Sequence, residues 1–149
     1  APPEHVVMRP TGFEIPESST KIHGITQEDA LERGVALSEA WKRLKKTMGD
    51  ADPGTIVVCC YNAPFDRGVL LSESLRQGES EMYEYLMACQ WQCVMRHATN
   101  LLGSGKFLKL VECAKRLGVD TSGAVMHTAN DDVTITILVL RKLALMMKT

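Results

Sequence analysis

The sequence predicts an α/β fold, and three observations predict it. Residues 55–60, TIVVCC, are a continuous apolar run rich in β-branched residues, which suits a strand covered on both faces of a sheet. Residues 35–48 and 107–119 place their apolar side chains at helical spacing. The chain alternates between these two periods over 149 residues, enough for one domain with a real core. No internal repeat, low-complexity tract or linker interrupts it, so residues 1–149 read as one domain.

Taken in order, EHVVMRP reads as a short strand ended by Pro10. TGFEIPESSTKIHG reads as a loop, because Pro16 and a Ser/Thr cluster interrupt any period. Thr26, with Asp29 three residues on, starts a short helix through a loose capping box. Val35, Leu37, Ala40, Trp41, Leu44 and Met48 form the apolar stripe of the next helix, whose C-terminal half carries Lys and Arg. GDADPG is a turn before the strand 55–60. Asn62 can cap the helix that follows, with Pro64 in its first turn. A further helix runs to about Met87, QWQCV reads as a short strand, and a helical turn follows. FLKLVECAKRLGV is an amphipathic helix ending at Gly118. From Val133 to Met147 the chain is apolar nearly all round, which predicts a packed interior helix.

Composition bounds the function. Aromatic residues are only 5% of the chain, so the core is aliphatic. A net charge of −1 excludes a broad basic surface of the kind that coats duplex DNA, but not a small cleft where a metal ion supplies the positive charge. Five cysteines without a zinc-type double pair read as free thiols in a reducing compartment. No apolar run approaches the roughly 20 residues that span a bilayer, and APPEHVV lacks a secretory pattern. The expectation is an intracellular protein, cytoplasmic or nuclear, with no membrane partner. Lys42, Arg43, Lys45 and Lys46 read as a solvated helix face.

The residues suited to chemistry lie near two helix starts. Asp66 follows the strand 55–60 and sits in the first turn of a helix, at the carboxyl end of a strand, where ligands bind in open α/β sheets. It also has a simpler account, as an acid complementing the helix dipole by a few tenths to about 1 kcal/mol. His127 and Asp132 are five residues apart, about 140° on a continuous helix. They converge only if His127 lies in the preceding loop and Asp132 on the second turn. Asp131 and Asp132 could equally be dipole-matching acids.

A family resemblance joins these residues. NAPFD resembles the second motif of the DEDDh (DnaQ-like) 3′→5′ exonucleases, N-x-x-F-D, and HTANDD is similar to the third, H-x-A-x-x-D, at His127, Ala129 and Asp132. IPESSTKIHGIT resembles the stretch after the family's third strand, and FLKLVECAKRLGV the helix before the third motif; the elements occur in family order over nearly the whole chain. The resemblance implies an RNase H-like mixed sheet flanked by helices. It also implies two-metal phosphodiester hydrolysis at 3′ ends of single-stranded DNA or RNA, with Mg²⁺ or Mn²⁺. Hard cations of that kind take carboxylate oxygens. By analogy Asp66 and Asp132 are metal-site carboxylates and His127 is the general base. His23, in KIHGIT, sits where family members approach the last nucleotide, although loop packing accounts for it as well. Asn62 orients the site or simply caps its helix. Trp91, with Cys93 in the place of an acid, resembles the family's W-x-D-T region and reads as core.

The chain departs from the family in one respect. No Asp has Glu two residues later, so the first motif, D-x-E, is absent, and EHVVM falls where the third strand is expected. The first two strands are therefore expected to be lacking. Three explanations fit: a longer parent protein, a second chain supplying the strands (which would make a homodimer), or a non-catalytic relative that binds nucleic acid or acts as a scaffold.

Overall fold

Val57–Cys60 (β1) and Gln90–Cys93 (β2) pair in parallel, with Val57 opposite Gln90 and Cys60 opposite Cys93. This computed structural model describes residues 5–124 and 128–148. The described residues also form eight helices: α1 (Glu17–His23), α2 (Gln27–Arg33), α3 (Leu37–Met48), α4 (Ala63–Arg76), α5 (Ser80–Ala88), α6 (Val94–Leu101), α7 (Leu110–Arg116) and α8 (Ala129–Met146). The fold is mixed α/β, as predicted. The chain divides into two compact units. One holds Ala1–Ile56 and Leu70–Cys89, the other Val57–Val69 and Gln90–Thr149, so α4 contributes to both.

In the first unit, Ala30, Leu37, Trp41, Met82 and Leu86 are buried. The Trp41 and Tyr85 rings meet edge to face at 5.3 Å, and Lys45 pairs with Glu81 beside them. Thr26 caps α2 as expected, accepting from Asp29 N–H at 3.0 Å.

Two expectations in this unit need correction. TGFEIPESSTKIHG is not all loop, because it contains α1. Pro16 occupies the N-cap in an extended conformation. Glu17 and Lys21 pair across one turn at 2.8 Å, and Gly24, at φ 75°, closes the C-terminus in the left-handed region. The Pro and Ser residues that suggested a loop are thus at a helix start. Among its described residues, 5–10, EHVVMRP makes a single parallel bridge, Met8 to Val35, rather than a strand. Arg9 N–H donates to Val35 C=O at 2.8 Å and Val35 N–H to Val7 C=O at 2.9 Å. Gly34 allows the two backbones to cross there, since a Cβ at that position would lie 2.8 Å from the Arg9 Cα. Pro10, which has no N–H, ends the pairing on the other side.

The second unit has an aliphatic core: Val94, Ala98, Leu108, Cys113, Ala114, Val119, Ile135, Val139 and Leu143. α8 packs on α6 and α7. Two expectations fail here for related reasons. β1 is not covered on both faces. Val57 and Cys59 are exposed while Val58 and Cys60 are half-buried, the alternation of a strand covered on one side. Nor is α8 buried all round. It hides one stripe, Ile135, Thr136, Val139 and Leu143, where α6 and α7 lie, and exposes Val133, Ile137 and Leu145. The helix predicted over 107–119 is shorter as well, because Lys109 is extended and serves as the N-cap of α7.

Candidate nuclease site at two helix starts

The turn from β1 into α4 is anchored by Tyr61. Its C=O accepts from Met95 N–H at 2.9 Å and from the Cys93 thiol at 3.5 Å. Its hydroxyl donates to Leu108 C=O at 2.7 Å. Asn62 comes next, and its C=O accepts from Phe65 N–H at 2.9 Å and Asp66 N–H at 3.4 Å, the first bonds of α4. These are backbone bonds, and the Asn62 residue is exposed.

Asp66 is half-buried in the first turn of α4. Burial pushes its carboxyl above the ordinary carboxylate range, partly offset by its own backbone N–H. A first-turn acid complements the helix dipole, and a half-buried carboxylate can also serve as a ligand to a cation. The neighbouring Cys60 thiol is pushed up to about 12, first by burial and then by the Asp66 charge.

At the start of α8 the two adjacent acids separate. Thr128 is the N-cap; its hydroxyl accepts from Asp131 N–H at 3.3 Å and donates to Asp131 Oδ2 at 2.7 Å. Asp131 therefore fills the structural role at this helix end. Asp132 lies in the first turn rather than the second, with its N–H donated to Thr128 C=O at 3.0 Å. Among the described residues, its Oδ1 is buried without a hydrogen-bond partner. A buried carboxylate oxygen can be satisfied by a cation.

Asn62, Asp66 and Asp132 belong to one unit. His127 falls outside the described residues. His23 belongs to the other unit, where its Nδ1 accepts from Ile25 N–H at 3.0 Å and Thr20 Oγ1 donates to Ile25 C=O at 3.0 Å, a local turn closure. Lys42, Arg43 and Lys46 are exposed, and Arg43 pairs with Glu39 at 3.1 Å, as on a solvated face. Trp91 and Cys93 are half-buried on β2.

The donor set suits a hard divalent ion. Asp66 and Asp132 offer carboxylate oxygens, one of them buried and without a partner. Among the described residues no group of three or more His, Cys, Asp or Glu could hold a metal. Among the described residues no helix is long and apolar enough to cross a membrane.

The residues that sequence reasoning missed are Tyr61 and Thr128. Thr128 was legible, since Thr three residues before Asp131 is a capping pattern. Tyr61 was not, because its partner Leu108 lies 47 residues on.

A family model described as Exonuclease (RNase_T) matches residues 1–140. No curated protein matches the chain.

Proposed function

Since the chain belongs to the Exonuclease (RNase_T) family, the DEDDh nucleases of the RNase H-like superfamily, we propose that it serves a metal-dependent 3′→5′ exonuclease. The substrates are single-stranded DNA or RNA 3′ ends, from which nucleotides are removed by phosphodiester hydrolysis. Exonucleases of this family generally use divalent metals; Mg²⁺ or Mn²⁺, two ions, fit the oxygen donors here.

The observation that carries the reading is the buried, unpartnered Oδ1 of Asp132. Asp132 and Asp66 would hold the metal, which when bound stabilises negative charge on the attacking and leaving oxygens. Of the chain's own residues, Asp66 sits on a turn tied to β2 and α6 through Tyr61, so its carboxylate is presented by a fixed backbone. Thr128 and Asp131 fix the first turn of α8 and hence the direction of Asp132. His127, one residue before that cap in the sequence, is the base that takes a proton from the attacking water. Asn62 is the substrate-side residue of the proposal in this unit; His23, in the other unit, is proposed to approach the last nucleotide on the family resemblance alone.

The test uses the full-length protein and a single-stranded oligonucleotide labelled at its 3′ end. Release of labelled mononucleotide in Mn²⁺ is expected at the earliest times. Release of internal fragments first would sink the exonuclease reading. Binding without any release would instead favour a non-catalytic relative. His127→Ala should lower turnover far more than metal affinity, because a base does not ligate the ion. Calorimetric titration with Mn²⁺ checks this, and a lost binding isotherm would move His127 to the ligand set.

A further inference from the structure

One residue links the turn that carries Asp66 to the core on which α8 rests. Tyr61 is the last residue before Asn62, and it packs against the core of the second unit. Its hydroxyl reaches Leu108 C=O at 2.7 Å, just before α7. Leu108 is completely buried, and α7 packs on α8, the helix that presents Asp132. The Tyr61 carbonyl meanwhile holds Met95 N–H in the first turn of α6 and the Cys93 thiol at the end of β2. Four segments of one unit therefore meet at a single side chain and its own peptide. The hydroxyl is pushed above the ordinary tyrosine range, first by burial and then by the Cys113 thiol beside it, so it stays protonated and remains a donor.

We propose that Tyr61 is a positioning residue of the nuclease: its hydroxyl bond to Leu108 sets where the Asp66 turn stands relative to the layer carrying Asp132. The inference rests on the reading of those two carboxylates as the metal site. Two ligands on different elements hold an ion only at a fixed separation, and a displacement of about 1 Å at a reacting centre can cost about a hundredfold in rate. The ring of Tyr61 supplies packing, while the hydroxyl supplies the register between the elements.

Tyr61→Phe separates these two contributions, because it keeps the ring and deletes one bond. In the full-length protein, turnover on the single-stranded oligonucleotide should fall about tenfold. The Mn²⁺ concentration giving half-maximal rate should rise several-fold, with KM for the oligonucleotide within about twofold. A loosened core alone lowers the thermal midpoint without moving the Mn²⁺ dependence, and that outcome overturns the proposal. Unchanged turnover overturns it too. Cys93→Ala, which removes a second anchor of the same peptide, should shift the Mn²⁺ dependence in the same direction by a smaller factor. An unshifted dependence in both variants also counts against the proposal. Asp132→Ala is run alongside. If it stays active, the metal-site reading itself fails. If it is inactive while Tyr61→Phe is normal, only the positioning role fails.

Discussion

The two helix starts that carry the candidate carboxylates are built differently. α4 is fed by a strand, and its turn is held from outside by Tyr61, Met95 and Cys93; its single first-turn acid, Asp66, is half-buried and charged at a cost. α8 is held from within by Thr128 and Asp131, and its second acid, Asp132, keeps a buried oxygen that no described donor reaches. The difference teaches how to recognise a working acid at a helix start. Position in the first turn says nothing by itself, since Asp131 is there too. What sets the two proposed site acids apart is that Asp66 is half-buried with its carboxyl raised by burial, and that Asp132 keeps a buried Oδ1 without a hydrogen-bond partner among the described residues.

The sharpest break of this comparison is between the two neighbours on α8. Asp132→Ala should lower nucleotide release about a thousandfold, the loss of roughly 4 kcal/mol of metal-borne stabilisation. Asp131→Ala should leave most of the activity in the same assay. Equal losses would erase the distinction between the capping acid and the site acid. Next comes metal removal. With Mn²⁺ at about a hundred times its dissociation constant, binding stabilises the fold by about 2.7 kcal/mol. In a chain of this size that amounts to a thermal midpoint roughly 5–10 °C higher than in chelator. Asp66→Asn and Asp132→Ala should each remove most of that increment.

A smaller effect tests the cap. Thr128→Ala should cost about 1 kcal/mol of stability, seen as a lower urea midpoint. The smallest is a matter of sign. The folded state raises the Asp66 carboxyl, so it binds that proton more tightly than the unfolded chain does. Stability therefore declines as pH rises from the ordinary carboxylate pKa through the raised one, and stays lower above it. In chelator at neutral pH, Asp66→Asn should melt slightly above the wild type. Below the ordinary carboxylate range the two should melt alike. A variant less stable at neutral pH would show that the carboxylate is already compensated without metal.

Much of this arrangement was legible in the residues. Thr26 with Asp29 and the QWQC strand each carry a local signal and occur in the fold as expected, whereas the α3 stripe is met only at Leu37 and Trp41, Val35 lying before the helix and Leu44 being exposed. The misreadings are those where a tertiary neighbour decides. A β-branched run does not say how many of its faces are covered, and Val57 and Cys59 are open. An apolar helix does not say which stripe is buried, and α8 hides only the one that meets α6 and α7. Adjacent acids cannot be assigned separate roles until the cap at Thr128 is seen. α1 was missed although its caps are local, because Pro16 at a helix start has the same composition as Pro in a loop.

The parallel register of β1 and β2 has a consequence for biogenesis. Antiparallel neighbours can zip from a tight hairpin, but Val57 must wait for Gln90, with the whole of α4 and α5 between them. At ribosomal rates of about 5–20 residues per second, β1 spends a few seconds outside the exit tunnel before its partner exists. For that interval its open edge is a template for other chains, and a synthesis rate slowed between codons 60 and 90 should lower the soluble yield.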